Sequence, residues 1–321
     1  MDAAAEAGAD AVKFQTFVPE ALAAAGAVKA DYQRERTGAD GSQLDMLRAL
    51  ALTRDDHLAL LARCAERGIE FLSTPFDDPS LDLLAELGLR RLKLGSGELT
   101  NLPLLRRAAA LGLPLILSTG MADLDEVRAA VAALAAAGLP RSSLTLLHCT
   151  TLYPTPLDEV NLRAMTVLAT AFPGVAVGFS DHTPGIEAAL AATALGATVI
   201  EKHFTLDRSL PGPDHQASLT PEELAALVRG VRNVELALGD GVKRPRAAEA
   251  GNRASARKQI VAARAIRAGE SFGPGNLTCK RTGRPGLSPM RWDEVMGAVA
   301  PRDFAPDEPV ELALGRERER P

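Results

Sequence analysis

Cysteine, long apolar runs and surplus positive charge are all scarce in this chain. Its three cysteines, Cys64, Cys149 and Cys279, lie far apart and never form a Cys-x-x-Cys pair. A disulfide scaffold and a thiolate metal site are thereby excluded, and reduced thiols of a cytoplasmic protein are expected. No apolar run reaches the length of a membrane span. The start, MDAAAEAGAD, has no positive residues leading into an apolar stretch, so it does not read as a secretory signal. The net charge of -5 argues against a general nucleic-acid or anionic-membrane surface. What is present suits a globular protein: 46% hydrophobic and 24% charged residues over 321 positions, enough for one large domain and a small one.

The first two-thirds of the chain alternates two patterns. Seven β-rich runs can be counted, at 11–17 (AVKFQTF), 70–76 (EFLSTPF), 91–97 (RLKLGSG), 114–120 (PLILSTG), 144–150 (LTLLHCT), 175–182 (VAVGFSDH) and 198–205 (TVIEKHFT). Helical stretches lie between them. DHLALLARCAERG spaces leucines for one helix face and stops at Gly68. DLDEVRAAVAALAAAG opens on acids and ends at Gly138. PEELAALVRGVRNVELALGDG places Pro221 directly behind a capping Thr220. Strands apolar on both faces, alternating with helices, predict parallel strands covered by helices. An open doubly wound sheet would fit, but no GxGxxG follows any strand. Polar residues instead crowd the strand ends, where a (β/α)8 TIM barrel carries its chemistry.

The barrel is therefore the expected fold, over residues 1–241. The count is one strand short, and DAAAEAGAD reads as the end of a helix feeding the run at 11–17. The first barrel strand is expected ahead of Met1. Residues 242–258 read as a basic linker. Residues 259–321 read as a small β-rich domain punctuated by Gly and Pro, with a solvated charged tail.

Pleat parity then selects side chains. Glu201 and His203 share one face of their strand, as do Ser180 and His182 of theirs. On adjacent strands the two imidazoles would meet at the mouth, as a divalent-metal pair or as two merely hydrogen-bonded histidines. Lys13 and Lys93 lie inside apolar strands and need an anion. The partner is either a carboxylate such as Glu98 or Glu201, or a bound phosphate or carboxylate. Gln15, Thr74, Ser96 and Ser118 end strands beside them. Tyr153, one of two tyrosines, sits in a loop stiffened by prolines, and Asp214 follows PGP. Either could face the mouth or serve the loop alone. Lys202 has the opposite parity and is expected to serve packing or a salt bridge outside the site.

Several stretches together resemble the bacterial sialic acid (N-acetylneuraminate) synthases and their legionaminic acid relatives. They are GADAVKFQTF, FLSTPFD, KLGSGELTNLPLL, LSTGMA, LHCTTLYPTP, GFSDHTPGIEAALAATALGATVIEKHFTLD, GPDHQASLTPEEL and IVAARAIRAGE with NLTCKR. The last part resembles that family's antifreeze-like (SAF) domain. The resemblance implies a transferase of carbohydrate biosynthesis that condenses phosphoenolpyruvate with N-acetylmannosamine or a related 2-acetamido sugar and releases phosphate. It implies manganese or magnesium on His182 and His203, and phosphoenolpyruvate among Lys13, Gln15, Thr74, Lys93, Ser96, Ser118 and Ser180. Glu98, Tyr153, Glu201 and Asp214 correspond to catalytic positions near the sugar, the metal or its water. Arg281 corresponds to an arginine that reaches the sugar in a partner subunit, which implies a domain-swapped homodimer.

Two departures qualify the resemblance. The family's first strand carries a glutamate held to act in the chemistry, and no counterpart occurs in the sequence; a non-catalytic sugar-binding homologue is the alternative this raises. Thr151 stands where the sialic acid enzymes often have Asn, which leaves 2,4-diacetamido-2,4,6-trideoxymannose, the legionaminic precursor, as a second substrate. The SAF-like domain argues against the octulosonate and heptulosonate phosphate synthases, which lack it. Ser96–Glu98 argues against the pseudaminic acid branch.

Overall fold

The computed structural model describes residues 1–29, 33, 34, 36 and 42–313. It divides into two compact units, Met1–Gly239 and Asp240–Pro321.

All seven expected strands form in the first unit. They are β1 (Ala11–Thr16), β2 (Glu70–Pro75), β3 (Leu92–Leu94), β4 (Leu115–Ser118), β5 (Leu144–Cys149), β6 (Ala176–Asp181) and β7 (Ile200–Lys202). β3 is shorter than its apolar run, because the chain turns into a 3-10 helix at Ser96–Glu98. β1 and β2 pair in parallel, and β3 to β7 pair in parallel in chain order. The expected helices lie between them and are capped as their sequences suggest. Thr53 and Asp56, Asp123 and Glu126, and Thr220 and Glu223 each exchange side-chain bonds with the opposite backbone N–H. Gly68 ends the helix Arg54–Arg67 at φ 67°, a conformation that suits glycine.

The pleat sorts the strand residues into two layers. Leu94, Leu117, Leu146 and Phe179 join the outer core, together with the helices Leu102–Ala110, Leu124–Ala136 and Ala164–Ala171. Residues of opposite parity, Leu72, Ile116 and Leu147, form a separate inner cluster with Val199. A parallel sheet with helices outside and its own apolar layer inside is a curled half-barrel. The α/β class and the strand order are those expected from the sequence. An eighth barrel strand has no counterpart among the described residues. Among the described residues no strand pairs with the outer edge of β1 or of β7. Both edges line one cavity of about 840 Å³, which Leu224, Leu227 and Val228 also line.

Gly178, on β6, shows how tightly the inner layer is filled. A Cβ there would lie 2.4 Å from the Val199 carbonyl oxygen and 2.6 Å from Leu147 Cδ2. The first is main chain, and the Leu147 side chain is fully buried with no room to withdraw. Gly178→Ala should therefore destabilise the unit by about 3 kcal/mol, seen as a lower urea midpoint. An unchanged midpoint would contradict this packing.

In the second unit, β8 (Lys258–Ala262) pairs antiparallel with β9 (Leu277–Arg281). An isolated bridge Val261–Pro309 ties the later chain to β8, and bridges Ile266–Phe304 and Ser271–Val299 join the turns to one another. Ile260, Phe272, Val295, Phe304 and Val310 make its small core. The stretch read as a linker contains the helix Ala250–Ala256. Among the described residues no helix is long and apolar enough to cross a membrane.

Candidate active site

The inner parity that buries Leu72, Ile116 and Leu147 turns polar toward the C-terminal ends of the strands. Two residues beyond these leucines and the isoleucine come Thr74, Ser118 and Cys149. Lys13, Lys93, Ser180 and Glu201 share the same face of their own strands. A ring of polar groups thus stands above an apolar floor.

At its centre is Glu201. It accepts from Ser180 Oγ at 2.9 Å and lies 3.5 Å from Lys93 Nζ. Lys93 is only 2% exposed, and its remaining contact is the Leu94 carbonyl at 3.0 Å. Burial pulls the Lys93 ammonium below the usual lysine range, with Glu201 opposing. Burial also works against the Glu201 carboxylate, but Lys13, Lys93 and Ser180 hold it down to about 2. The question left open by the sequence is answered differently for the two lysines. Lys93 has a carboxylate partner, whereas Lys13 makes no hydrogen bond or ion pair among the described residues.

Beside this cluster stand the two histidines, their ring centroids 5.2 Å apart. β6 and β7 are neighbours, with Asp181 opposite Lys202, which brings the next residue of each strand to the same rim. His182 Nδ1 donates to the Thr150 carbonyl at 2.7 Å, so the neutral ring keeps a lone pair on Nε2. Burial lowers the pKa of both rings, that of His203 to about 3 with His182 and Lys13 adding to the effect. Both are neutral donors of electron pairs near pH 7. Tyr153 packs on both, at 4.2 Å from the His182 ring and 5.7 Å from the His203 ring. Asp214 Oδ2 lies 3.9 Å from His203 Nδ1, and Asp214 Oδ1 is buried without a hydrogen-bond partner among the described residues. Burial raises the Asp214 carboxyl above its ordinary range, against the pull of Arg36.

Other expected residues fall nearby or apart. Thr74 Oγ1 and Ser118 Oγ are buried hydroxyls with no partner among the described residues, a rare state that asks for a ligand. Ser96 Oγ accepts from Gly120 N at 2.9 Å. Gln15 lines the cavity with Lys13, Glu201, His203 and Asp214. Glu98 stands apart from the histidines in its contacts: it accepts from Asn101 at 2.7 Å, and burial, reinforced by Asp77, raises its carboxyl. Arg281 lies on β9 of the second unit, exposed and without an ion pair among the described residues. Lys202 has the outside role that its parity predicts. Its ammonium donates to Asp181 Oδ2 at 2.8 Å and to the Thr183 carbonyl at 2.5 Å, in a fully buried pair.

A model of the NeuB family matches residues 1–243. This chain is a member of the NeuB family. A SAF domain model matches residues 257–313. Over 308 residues the chain is 49% identical to the N,N'-diacetyllegionaminic acid synthase of Campylobacter jejuni, covering 96% of this chain and 92% of that one. It is 45% identical to the enzyme of the same name from Legionella pneumophila, covering 92% and 83%. Among solved structures it is similar to the N-acetylneuraminic acid (sialic acid) synthetase of Leptospira borgpetersenii in complex with citrate. The TM-score is 0.67 at 36% identity, over 77% of this chain and 81% of that one. The family resemblance drawn from the motifs is thereby established.

This NeuB-family site also holds groups that sequence reasoning missed. Cys149 Sγ lies 3.8 Å from His182 Nδ1 and also meets Ser96 and Ser180. Parity two past Leu147 was the available signal. Arg36 donates to the Pro213 carbonyl at 2.8 Å and to the Tyr153 carbonyl at 3.0 Å, linking the two loops that carry Tyr153 and Asp214. Nothing in its local sequence indicates that role.

Proposed function

We propose that this chain is a nonulosonic acid synthase that joins phosphoenolpyruvate to a 2-acetamido sugar and releases phosphate. The diacetamido sugar of the legionaminic route is the preferred acceptor, because the two curated relatives named above carry that activity in their names. One feature of the site carries the reading: on the inner face of the strands, two lysines and buried hydroxyls that have no partner among the described residues stand with a pair of neutral imidazoles at the strand ends.

Lys13 and Lys93 take the carboxylate and phosphate of phosphoenolpyruvate, with the Thr74, Ser96, Ser118 and Ser180 hydroxyls and Gln15 completing the shell. His182 Nε2 and His203 fit a divalent cation, manganese or magnesium. Both rings are neutral, and the nearby Asp214 Oδ1 lacks a partner among the described residues. Among the described residues no third His, Cys, Asp or Glu completes a metal cluster, so water and sugar oxygens would supply the other positions. Such a cation would polarise the aldehyde of the open-chain sugar. The methylene carbon of phosphoenolpyruvate bonds to the aldehyde carbon, and the new alkoxide takes a proton, for which the raised Asp214 carboxyl is placed. Water adds at the enol carbon and returns a proton to the Asp214 carboxylate; phosphate then leaves by carbon–oxygen cleavage and carries away the proton of the remaining hydroxyl. Glu201 holds Ser180 and Lys93 in place for the anion, and Tyr153 covers the imidazoles. Glu98 is assigned the distal end of the sugar.

The barrel's closure belongs to the same proposal. A parallel strand between β7 and β1 would pair the edges that are open among the described residues. Arg281 is assigned to the sugar site of a second copy, in a cytoplasmic homodimer. A second reading is sugar binding without turnover. One assay separates the two. Phosphate release is followed with phosphoenolpyruvate, manganese and, in turn, the diacetamido sugar, N-acetylmannosamine and its 6-phosphate. Release is expected with the diacetamido sugar above the others. Binding of a sugar with no release from any of them would leave the second reading standing.

A further inference from the structure

We propose that His215 recognises the sugar, its Nε2 accepting from the N–H of an acylamino group whose methyl lies against Leu206 and Leu210. The proposal rests on the synthase reading above and names the group that one wall of the site reads.

The hydrogen-bond donors fix the ring's tautomer. Thr205 Oγ1 gives its own hydrogen to the Asp207 carbonyl at 2.9 Å. Its contact with His215 Nδ1 at 2.7 Å must then be one in which the ring donates. With the Nδ1 hydrogen given to Thr205, Nε2 is the ring's acceptor position, and it has no partner among the described residues. The loop is shaped around this ring. Gly212 has φ 152°, and a Cβ there would fall 2.9 Å from His215 Cδ2 and 3.0 Å from Nε2. Glycine is what allows the ring edge to occupy that place.

The surroundings state the ligand's chemistry. His215 lines the same cavity as Lys13, His203 and Asp214, so it faces the space assigned to the acceptor sugar. Leu206 and Leu210 line it too, and they are 67% and 44% exposed. A fixed acceptor flanked by exposed apolar side chains suits an amide N–H with a methyl beside it. It does not suit a phosphate or carboxylate, whose oxygens would meet a lone pair. The anion is accommodated by the lysines on the strand faces instead.

The test compares His215→Phe, which keeps a flat ring, with His215→Gln, which restores an acceptor. Phosphate release is measured with the diacetamido sugar and with N-acetylmannosamine. His215→Phe should raise the sugar KM about tenfold while kcat and the phosphoenolpyruvate KM stay within about twofold, and His215→Gln should recover part of the loss. A rise confined to the diacetamido sugar identifies the 4-acetamido group, and a rise with both identifies the shared 2-acetamido group. An unchanged sugar KM in folded His215→Phe, or a loss of kcat alone, overturns the proposal. If the wild-type chain releases no phosphate with any sugar, the synthase reading fails by itself. Saturation-transfer NMR on the acetyl methyls of the diacetamido sugar then decides His215: a signal lost in His215→Phe supports it, and no difference between the proteins overturns it.

Discussion

Lys93→Met should cost both stability and turnover, for one reason. The lysine is buried, and its ammonium is the ion-pair partner of Glu201. Methionine fills the same space but leaves the buried Glu201 carboxylate without its ion-pair partner, with Lys13 and the Ser180 hydroxyl left to offset its charge. Breaking a buried pair from one side costs about 3 kcal/mol, more than the intact pair contributes. The Glu201 carboxyl, held at about 2 in the native chain, would rise once that partner is gone. Turnover should fall about 10²–10³-fold, the usual result of deleting one preorganised charge from an anion site. The double variant Lys93→Met/Glu201→Gln separates the effects. It should regain most of the lost melting temperature and none of the activity. Near-native phosphate release from either variant would remove Lys93 from the chemistry.

His203→Ala should behave in the opposite way, with lost activity and little change in stability. The His203 side chain keeps 23% of its surface exposed, and its carboxylate neighbour lies 3.9 Å away, too far for a strong bond. Truncation therefore breaks no tight contact within the fold. It does remove one of the two neutral imidazoles on which a cation would sit, and turnover with manganese should drop more than about 100-fold. Manganese binding, followed by electron paramagnetic resonance without substrates, should weaken in parallel. Wild-type turnover in a folded His203→Ala protein would leave the pair without its assigned role.

Much of this site was legible because strand parity is a strict rule. The two-residue spacing of Glu201 and His203, and of Ser180 and His182, put four groups on one face before any coordinates were considered. The same rule sent Lys202 outside, where it meets Asp181. Element types were legible from apolar periodicity, and helix starts from Thr53, Asp123 and Thr220. Strand ends were harder. β3 stops at Leu94 because Gly95 and Ser96 begin a tight turn that an apolar run does not announce. Arg36 was not legible at all, since its partners are main-chain carbonyls 117 and 177 residues away. Which lysine would find a carboxylate was also undecidable, because it depends on how the sheet brings β7 toward β3. His215 was overlooked for a related reason: its meaning comes from the hydroxyl of Thr205, not from its neighbours in sequence.

The buried pair behind the rim has a consequence for how such a site can diversify. Asp181 and Lys202 brace two staves from their outer side, and Asp181 also receives the Thr183 N–H that follows His182. Framework and reactivity are thus written on alternate letters of the same short words. Substrate preference could drift through replacements on one set of letters while the other set keeps the wall rigid.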